Sequence, residues 1–147
     1  LIKFRQNCKK KGIKFFIANN TRLLTKIKAD GLYISAFNNN LRLIRYKRSG
    51  YKIIGSAHNP REISLKLKQG CDKIIISRLF QTNYKNKKGF LGVLKFNNLF
   101  LRNEIEIIPL GGINNKNLLM LNLVKGSSLA CLSVLKKKPA NFINRLF

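Results

Sequence analysis

The sequence predicts a parallel α/β fold in which short buried strands alternate with amphipathic helices. Glycines recur every 19 or 20 residues, at Gly12, Gly31, Gly50 and Gly70. Each follows a basic, helix-like stretch and precedes an apolar run, as a glycine does when it ends a helix in the left-handed conformation before a strand. The runs are apolar throughout, which is typical of parallel strands covered by helices on both faces.

Two architectures satisfy this pattern, an open doubly wound sheet and a closed barrel. A dinucleotide-binding sheet would carry a G-x-G-x-x-G turn after a strand, and a P-loop protein would carry its own glycine-rich motif. The sequence contains neither motif. The barrel is therefore preferred, although about six helix–strand units are visible and a complete barrel has eight.

Six strands are expected in chain order. The first four lie in the segments KKKGIKFFIAN, KADGLYIS, RSGYKIIGSAH and KQGCDKIIIS. A fifth is expected at about 105–110, followed by a helix near 115–125 that ends at Gly126, and SSLACLSVL would form the sixth.

The start of one helix is marked by the sequence NPRE. Asn59 can cap the helix, Pro60 occupies its first position, and Glu62 stands where a capping box places an acid. The sequence therefore predicts a helix that begins at Pro60.

Length and composition suit a single globular domain over residues 1–147. Apolar residues make up 45% of the chain, enough for a buried core, which argues against intrinsic disorder. No apolar stretch reaches the roughly 18 residues of a membrane-spanning helix, and the first residues show no signal-peptide core. We expect a cytoplasmic protein with no membrane partner.

The three cysteines have no disulfide or metal-ligand spacing and are expected to be small apolar fillers.

The chain is strongly basic, with 30 Lys and Arg against 5 Asp and Glu and a net charge of +25. Such a charge attracts polyanions, so nucleic acid and phosphorylated small molecules are both open as partners. AT-rich coding DNA, which favours Lys, Asn and Ile, would produce the same charge without any role for it. A non-catalytic nucleic-acid-binding module would need a basic stripe with interleaved aromatics. Residues that could contribute to one are Tyr46, Lys47, Arg48, Tyr51 and Lys52.

The carboxyl ends of the strands are the expected place for a ligand. In a parallel barrel these ends and the loops after them build the site, whereas the opposite rim mainly stabilises the fold. The expected ends are small, polar and glycine-containing, which suits a close approach of the backbone to a ligand. They are 18–20, 35–36, 56–58, 77–88, 111–112 and 132–133.

These ends carry four short motifs in a fixed order: SAH after the third strand, FQTNYK after the fourth, PLGGIN after the fifth and LACLSVL in the sixth. With this order and spacing the chain resembles the thiamine-phosphate synthase/TenI family over roughly residues 1–135. The resemblance implies a triosephosphate-isomerase-type (β/α)8 barrel that is incomplete here. The chain would start at the helix after the second strand of the family, so that the first two strands are missing.

The resemblance also implies an activity in thiamine biosynthesis. The family reaction joins hydroxymethylpyrimidine pyrophosphate to thiazole phosphate and releases pyrophosphate, so the expected partner is a phosphorylated small molecule. The alternative within the family is a TenI-like thiazole tautomerase, which needs acid–base groups and a phosphate site but no magnesium.

The matching motifs suggest individual site residues. Ser56, His58 and Lys85 would be catalytic. The residues that would bind substrate or its phosphate are Asn19, Thr82, Lys85, Gly111, Gly112, Leu132 and Ser133. Several of these residues could instead have a purely structural role. The glycines could form turns, His58 could be a turn residue before a helix, and Lys85 could belong to a solvated basic loop.

Magnesium is the cofactor that the resemblance implies, but Asn20 and Asn38 stand near the positions of the family's magnesium-binding aspartates. Asparagine offers a carbonyl without charge, whereas Mg²⁺ prefers carboxylates and phosphate oxygens. No metal ligand is therefore predicted.

Most of the acids are expected on the opposite rim, which argues against paired-carboxylate and Ser-His-Asp mechanisms. The five acids are Asp30, Glu62, Asp72, Glu104 and Glu106.

Overall fold

The computed structural model describes residues 1–82 and 89–132 and divides the chain into two compact units, Leu1–Ile74 and Ile75–Phe147. Each unit is described by itself below, and a single domain over the whole chain stays a prediction. In the described parts of the chain, no helix combines the length and the apolar character needed to cross a membrane.

The first unit alternates helices with parallel strands. β1 pairs with β2 and β2 with β3, and Gly31 lies opposite both Phe16 and Lys52. This confirms the predicted parallel α/β arrangement. The elements are α1 Ile2–Lys10, β1 Phe16–Ala18, α2 Thr21–Lys26, β2 Gly31–Ile34, a 3-10 helix Leu41–Leu43, α3 Ile44–Arg48, β3 Lys52–Ala57 and α4 Pro60–Lys68.

The core of the first unit is apolar and is contributed by helices and strands together. α2 packs on β1 and β2, while α3 and α4 pack on β3. Aliphatic side chains that are 0–2% exposed fill the space between them, and burial of this kind is the main favourable term in folding. They are Leu24, Leu32, Ile34, Ile53 and Ile63.

Three of the four repeated glycines end helices as the sequence predicts. Gly12, Gly50 and Gly70 follow α1, α3 and α4 with φ angles of +68°, +85° and +79°. Only glycine adopts this left-handed region without steric cost.

The prediction for Gly31 is wrong, because this residue is the first of β2 rather than a helix cap. Lys28 takes the left-handed conformation after α2 instead, with φ +49°. A Cβ at Gly31 would lie 2.3 Å from the Lys52 carbonyl oxygen and 2.4 Å from the Phe16 ring. Glycine is required here by the close approach of its neighbours in the sheet.

The NPRE signal does start a helix, and α4 begins at Pro60. The Asn59 Oδ1 accepts a hydrogen bond from the Glu62 main-chain N–H at 3.0 Å. The Glu62 carboxylate accepts from the Asn59 amide at 2.9 Å and from the His58 main-chain N–H at 2.7 Å. The acid therefore ties the end of β3 to the first turn of α4.

Two of the few acids stabilise the amino-terminal ends of strands. Asp30, just before β2, accepts from the Phe15 N–H at 2.8 Å, and Asp72, just before β4, accepts from the Ile53 N–H at 2.7 Å. Each Asp main-chain N–H also donates to the carbonyl of the same neighbour. Arg5 lies 3.2 Å from the Asp30 carboxylate. Both acids lie away from the strand ends where a ligand is expected, as predicted.

The second unit contains β4 and β5 as neighbouring strands, with one helix between them in the chain. Their pairing continues past β4, where the Leu79 N–H donates to the Leu110 carbonyl at 2.9 Å and the Phe80 N–H donates to the Gly111 carbonyl at 3.0 Å. Ile76, Leu79, Phe96 and Ile107 are buried here. The elements are β4 Lys73–Ser77, which starts at the end of the first unit, α5 Gly92–Leu101, β5 Glu106–Leu110 and a 3-10 helix Leu119–Leu123.

The predicted sixth strand is represented by one parallel bridge, between Ala130 and Leu110, in the described residues. The rest of that segment, from residue 133, lies outside them.

The helix expected near 115–125 is wrong, since the structure has only the 3-10 helix Leu119–Leu123 there. Hydrogen bonds from two asparagine side chains explain why no α-helix forms there. The Asn117 Oδ1 accepts from the Asn114 N–H at 2.9 Å, and the Asn114 Oδ1 accepts from the Lys116 N–H at 2.8 Å. Such side-chain bonds offer the backbone an alternative to helical pairing.

Replacing Asp72 by Ala should lower the free energy of unfolding by about 1–3 kcal/mol, because it leaves the Ile53 N–H without its side-chain acceptor. Urea denaturation monitored by circular dichroism measures the change. Glu104→Ala is the matched control, since it removes the same charge from an exposed position. Equal stabilities of the two variants would contradict a structural role for Asp72.

Candidate functional site

An amide cluster lies at the carboxyl ends of β1 and β2 in the first unit. The Asn19 Oδ1 accepts hydrogen bonds from the Ser35 main-chain N–H at 3.1 Å and from the Asn38 side-chain amide at 3.0 Å. Asn19 is in the left-handed region, with φ +54°, which asparagine tolerates better than most residues. The main-chain donor of Ser35 fixes which way the Asn19 amide points. The structure therefore brings together Asn19, a predicted binding residue, and Asn38, which stands near a family metal position.

The described residues do not fit a magnesium ion. The two amide oxygens near the family's aspartate positions already accept main-chain hydrogen bonds, that of Asn20 from Leu23 and that of Asn38 from Asn40. The oxygen of the neighbouring Asn19 accepts from Ser35. Within residues 1–82 and 89–132, no group of three or more His, Cys, Asp or Glu could hold a metal ion. Asn20 is the N-cap of α2.

His58 follows β3 and forms an ion-pair contact that the sequence analysis missed. Its Nδ1 lies 3.0 Å from the Glu62 Oε2, and the imidazole is exposed next to the ring of Phe37. Glu62 was assigned to a helix, and its spacing of four residues from His58 was the signal that could have revealed the pair. Ser56 lies in β3, two residues before His58, and is half-buried.

The Glu62 carboxylate is held in its charged form by these contacts. Partial burial by itself would raise its pKa, but hydrogen bonds from the His58 main chain and side chain and from Asn59 outweigh burial and lower the pKa below its ordinary value. A charged acceptor at this position orients the His58 imidazole.

In the second unit, Arg78 follows β4 and binds both Thr82 and Gly89. Its Nη1 lies 2.7 Å from the Thr82 hydroxyl, and its Nη2 lies 2.6 Å from the Gly89 carbonyl. Thr82 is therefore fixed at the end of β4 by a guanidinium group. The sequence analysis missed Arg78, although its place directly after a strand was a signal.

Gly111 and Gly112 follow β5 in left-handed conformations, with φ +98° and +76°. A Cβ at Gly112 would lie 2.3 Å from the Phe80 carbonyl oxygen, and one at Gly111 would lie 3.4 Å from the Arg78 stem. In the parallel bridge between Leu110 and Ala130, the Ala130 N–H donates to the Pro109 carbonyl, and this register directs the Gly111 N–H at the Ala130 carbonyl. Within the described part of the chain, the Gly112 N–H donates no hydrogen bond. Of the two, the Gly112 N–H is therefore the one available to a ligand, although packing alone already requires glycine at 112.

Side chains after β5 fix the carbonyl of Gly112. Asn114 and Asn117 donate to it from their amide groups, at 3.0 and 2.8 Å. Because Ala130 pairs with Leu110 in parallel, Leu132 lies at the same strand edge as Gly112, and it is 62% exposed. The glycines and Leu132, predicted as phosphate-binding residues, thus share one end of the second unit.

Two predicted site residues, Lys85 and Ser133, lie outside the described residues. Their roles stay predictions from the sequence.

The chain is similar to known proteins in both sequence and structure. A family model described as thiamine monophosphate synthase matches residues 1–135. The chain belongs to this family. The resemblance seen in SAH, FQTNYK, PLGGIN and LACLSVL is confirmed.

Curated relatives agree with the family. A thiamine-phosphate synthase of Prochlorococcus marinus subsp. pastoris is 32% identical over 118 residues, which cover 80% of this chain and 34% of the relative. One from Lactococcus lactis subsp. cremoris is 26% identical over 141 residues, which cover 91% of this chain and 65% of the relative. The chain thus spans between a third and two thirds of the length of these relatives.

A solved structure supports the fold. Thiamine phosphate pyrophosphorylase from Pyrococcus furiosus superposes with a TM-score of 0.76 at 17% identity, over 99% of this chain and 71% of that one. The predicted triosephosphate-isomerase-type α/β class is confirmed by this likeness.

Glu62→Gln should lower the free energy of unfolding by up to about 1 kcal/mol at pH 7, because the pair with His58 is partly exposed. A carboxylate whose pKa is lowered in the folded state contributes stability above its unfolded pKa of about 4.5, and this is lost as the pH falls through the folded value. The difference between the two proteins should therefore shrink from pH 7 to pH 3. Urea titrations at both pH values measure it, and an equal difference at both would contradict the assignment.

Proposed function

We propose that this chain provides thiamine-phosphate synthase chemistry, in which thiazole phosphate attacks hydroxymethylpyrimidine pyrophosphate and pyrophosphate leaves. Membership of the family supports the reaction class. The curated relatives described above are named for the same reaction, and neither the tautomerase nor the nucleic-acid alternative gains support from them.

The observation that carries the proposal is the main-chain N–H group of Gly112. Within the described residues this N–H donates no hydrogen bond, and the Arg78 stem lies beside the neighbouring Gly111. Main-chain donors together with a guanidinium group are a common means of binding a phosphoryl group. We therefore assign the thiazole phosphate to this corner of the second unit, which consists of Arg78, Thr82, Gly111, Gly112 and Leu132.

Arg78 has two roles in this proposal. It holds Thr82 and Gly89 through two of its N–H groups. Its charge compensates the phosphoryl group while its hydrogen bonds keep the Thr82 hydroxyl in place. Lys85 and Ser133 would add a second charge and further main-chain contacts, as the sequence predicts.

The first unit contributes its own candidate groups. Ser56, His58 and Asn19 keep the roles that the family resemblance gives them. Glu62 orients the His58 imidazole, and its carboxylate compensates the positive charge when the imidazole is protonated. We assign no chemical step to a magnesium ion, because the amide oxygens of Asn19, Asn20 and Asn38 are already used as acceptors.

Arg78→Gln should weaken binding of thiazole phosphate about tenfold, which corresponds to the loss of one charge-assisted hydrogen bond. Isothermal titration calorimetry measures the affinity, and the same thiazole without its phosphate should bind both proteins equally weakly. Arg102→Gln is the control, because it removes a charge from an exposed position in the same unit. Equal affinities of wild type and Arg78→Gln would refute the assignment of the phosphate to this corner.

Gly112→Ala should abolish thiazole phosphate binding, because the new Cβ would lie 2.3 Å from the Phe80 carbonyl oxygen and displace the backbone donor. Gly50→Ala, with φ +85° but no atom within 4 Å of a Cβ, is the control for left-handed strain alone. The measurement is calorimetry on both variants, after circular dichroism has verified that each is folded. If folded Gly112→Ala binds as wild type does, the backbone donor is not the ligand site.

A further inference from the structure

The first unit contains a fully buried lysine that the proposed reaction does not use. Lys66 in α4 is 0% exposed, as is Gln69 one turn later. Burial of an ammonium group is costly unless hydrogen bonds replace its lost hydration. Desolvation accordingly lowers the pKa of Lys66, and the negative charge of Glu62 opposes that change.

The hydrogen bonds of Lys66 all go to neutral oxygens. Its Nζ donates to the Asn38 main-chain carbonyl and to the Gln69 Oε1, both at 2.9 Å. The Gln69 amide in turn donates to the carbonyls of Asn38 at 2.8 Å and Asn40 at 3.2 Å. Among the described residues, the salt bridges include no carboxylate partner for Lys66.

β3 makes room for the lysine stem. A Cβ at Gly55 would lie 2.9 and 3.0 Å from the Lys66 Cδ and Cγ and 2.7 Å from the Cys71 Sγ. The strand therefore carries a glycine where the stem crosses it, which explains the lack of a side chain in the middle of β3.

The carbonyls that Lys66 and Gln69 bind belong to the segment after β2. This segment carries Asn38, whose side chain binds the Asn19 amide, and Asn19 in turn binds Ser35. A continuous set of hydrogen bonds thus runs from a buried ammonium to the amide cluster at the carboxyl ends of β1 and β2. This is the cluster whose asparagine oxygens already accept main-chain hydrogen bonds, so that the described residues do not fit a magnesium ion.

We infer that Lys66 and Gln69 are positioning residues that hold the Asn19–Asn38 cluster in its geometry without a divalent cation. The hydrogen bonds of the Lys66 Nζ and the Gln69 amide to the Asn38 and Asn40 carbonyls give the segment the order that an ion bound between carboxylates would otherwise supply. Both residues act through the main chain of Asn38 and Asn40.

The test is amide hydrogen exchange and side-chain NMR on the whole chain without substrate. In the double variant Lys66→Met, Gln69→Leu, which removes all four hydrogen bonds to the segment and to each other, exchange of the Ser35 N–H should accelerate about tenfold. The side-chain amide resonances of Asn19 and Asn38 should move. The Ile53 N–H, bonded to Asp72 in the same unit, should keep its exchange rate and so reports that the unit is folded.

Lys68→Met is the matched control, because Lys68 lies on the same helix and is exposed. It should leave all of these signals unchanged. If the double variant fails to fold, Gln69→Ala provides the second variant, since it retains the buried charge and removes only the bonds of the amide.

A titration of the wild-type chain with magnesium provides a second test that needs no mutation. Adding MgCl₂ to the wild-type chain should leave the Ser35, Asn19 and Asn38 resonances in place. Shifts of these resonances at millimolar Mg²⁺, or unchanged Ser35 exchange in a folded double variant, would overturn the inference. Because no substrate is present, failure of the proposed synthase activity would not affect the result.

Discussion

The ends of the parallel strands leave main-chain N–H and carbonyl groups that need partners, and the side chains that supply them organise the first unit. At the amino-terminal ends, Asp30 and Asp72 accept from the N–H groups of Phe15 and Ile53. At the carboxyl ends, the Asn19 amide accepts from Ser35. Charged acceptors thus stabilise one edge, while neutral amides occupy the edge where ligands bind in folds of this kind.

This division accounts for the scarcity of acids near the candidate site. A chain with a net charge of +25 has few carboxylates to place, and Asp30, Asp72 and Glu62 all serve as hydrogen-bond acceptors for main-chain N–H groups. The family's metal positions hold amides whose oxygens are already bonded. The Lys66 amino group lies within hydrogen-bond distance of the Asn38 carbonyl, beside one of these positions.

Much of the fold could be predicted because it depends on local chemistry. The left-handed glycines at 12, 50 and 70 and the capping group at Asn59 act within a few residues of their own position. Gly31 could not be assigned in the same way, because the contact that requires it comes from Phe16 and Lys52 on neighbouring strands. The helix expected near 115–125 failed since side-chain bonds of Asn114 and Asn117 compete with helical pairing.

The sequence by itself determined the parallel α/β class, the family, and the glycines and amides that stand at strand ends, because these follow from spacing and composition along the chain. Only the tertiary structure decided which of these groups are partners. The contacts of Lys66 with Asn38 and of Arg78 with Gly89 join residues 28 and 11 positions apart. No periodicity encodes such contacts, since the folded backbone determines which distant carbonyl a buried or half-buried cation can reach.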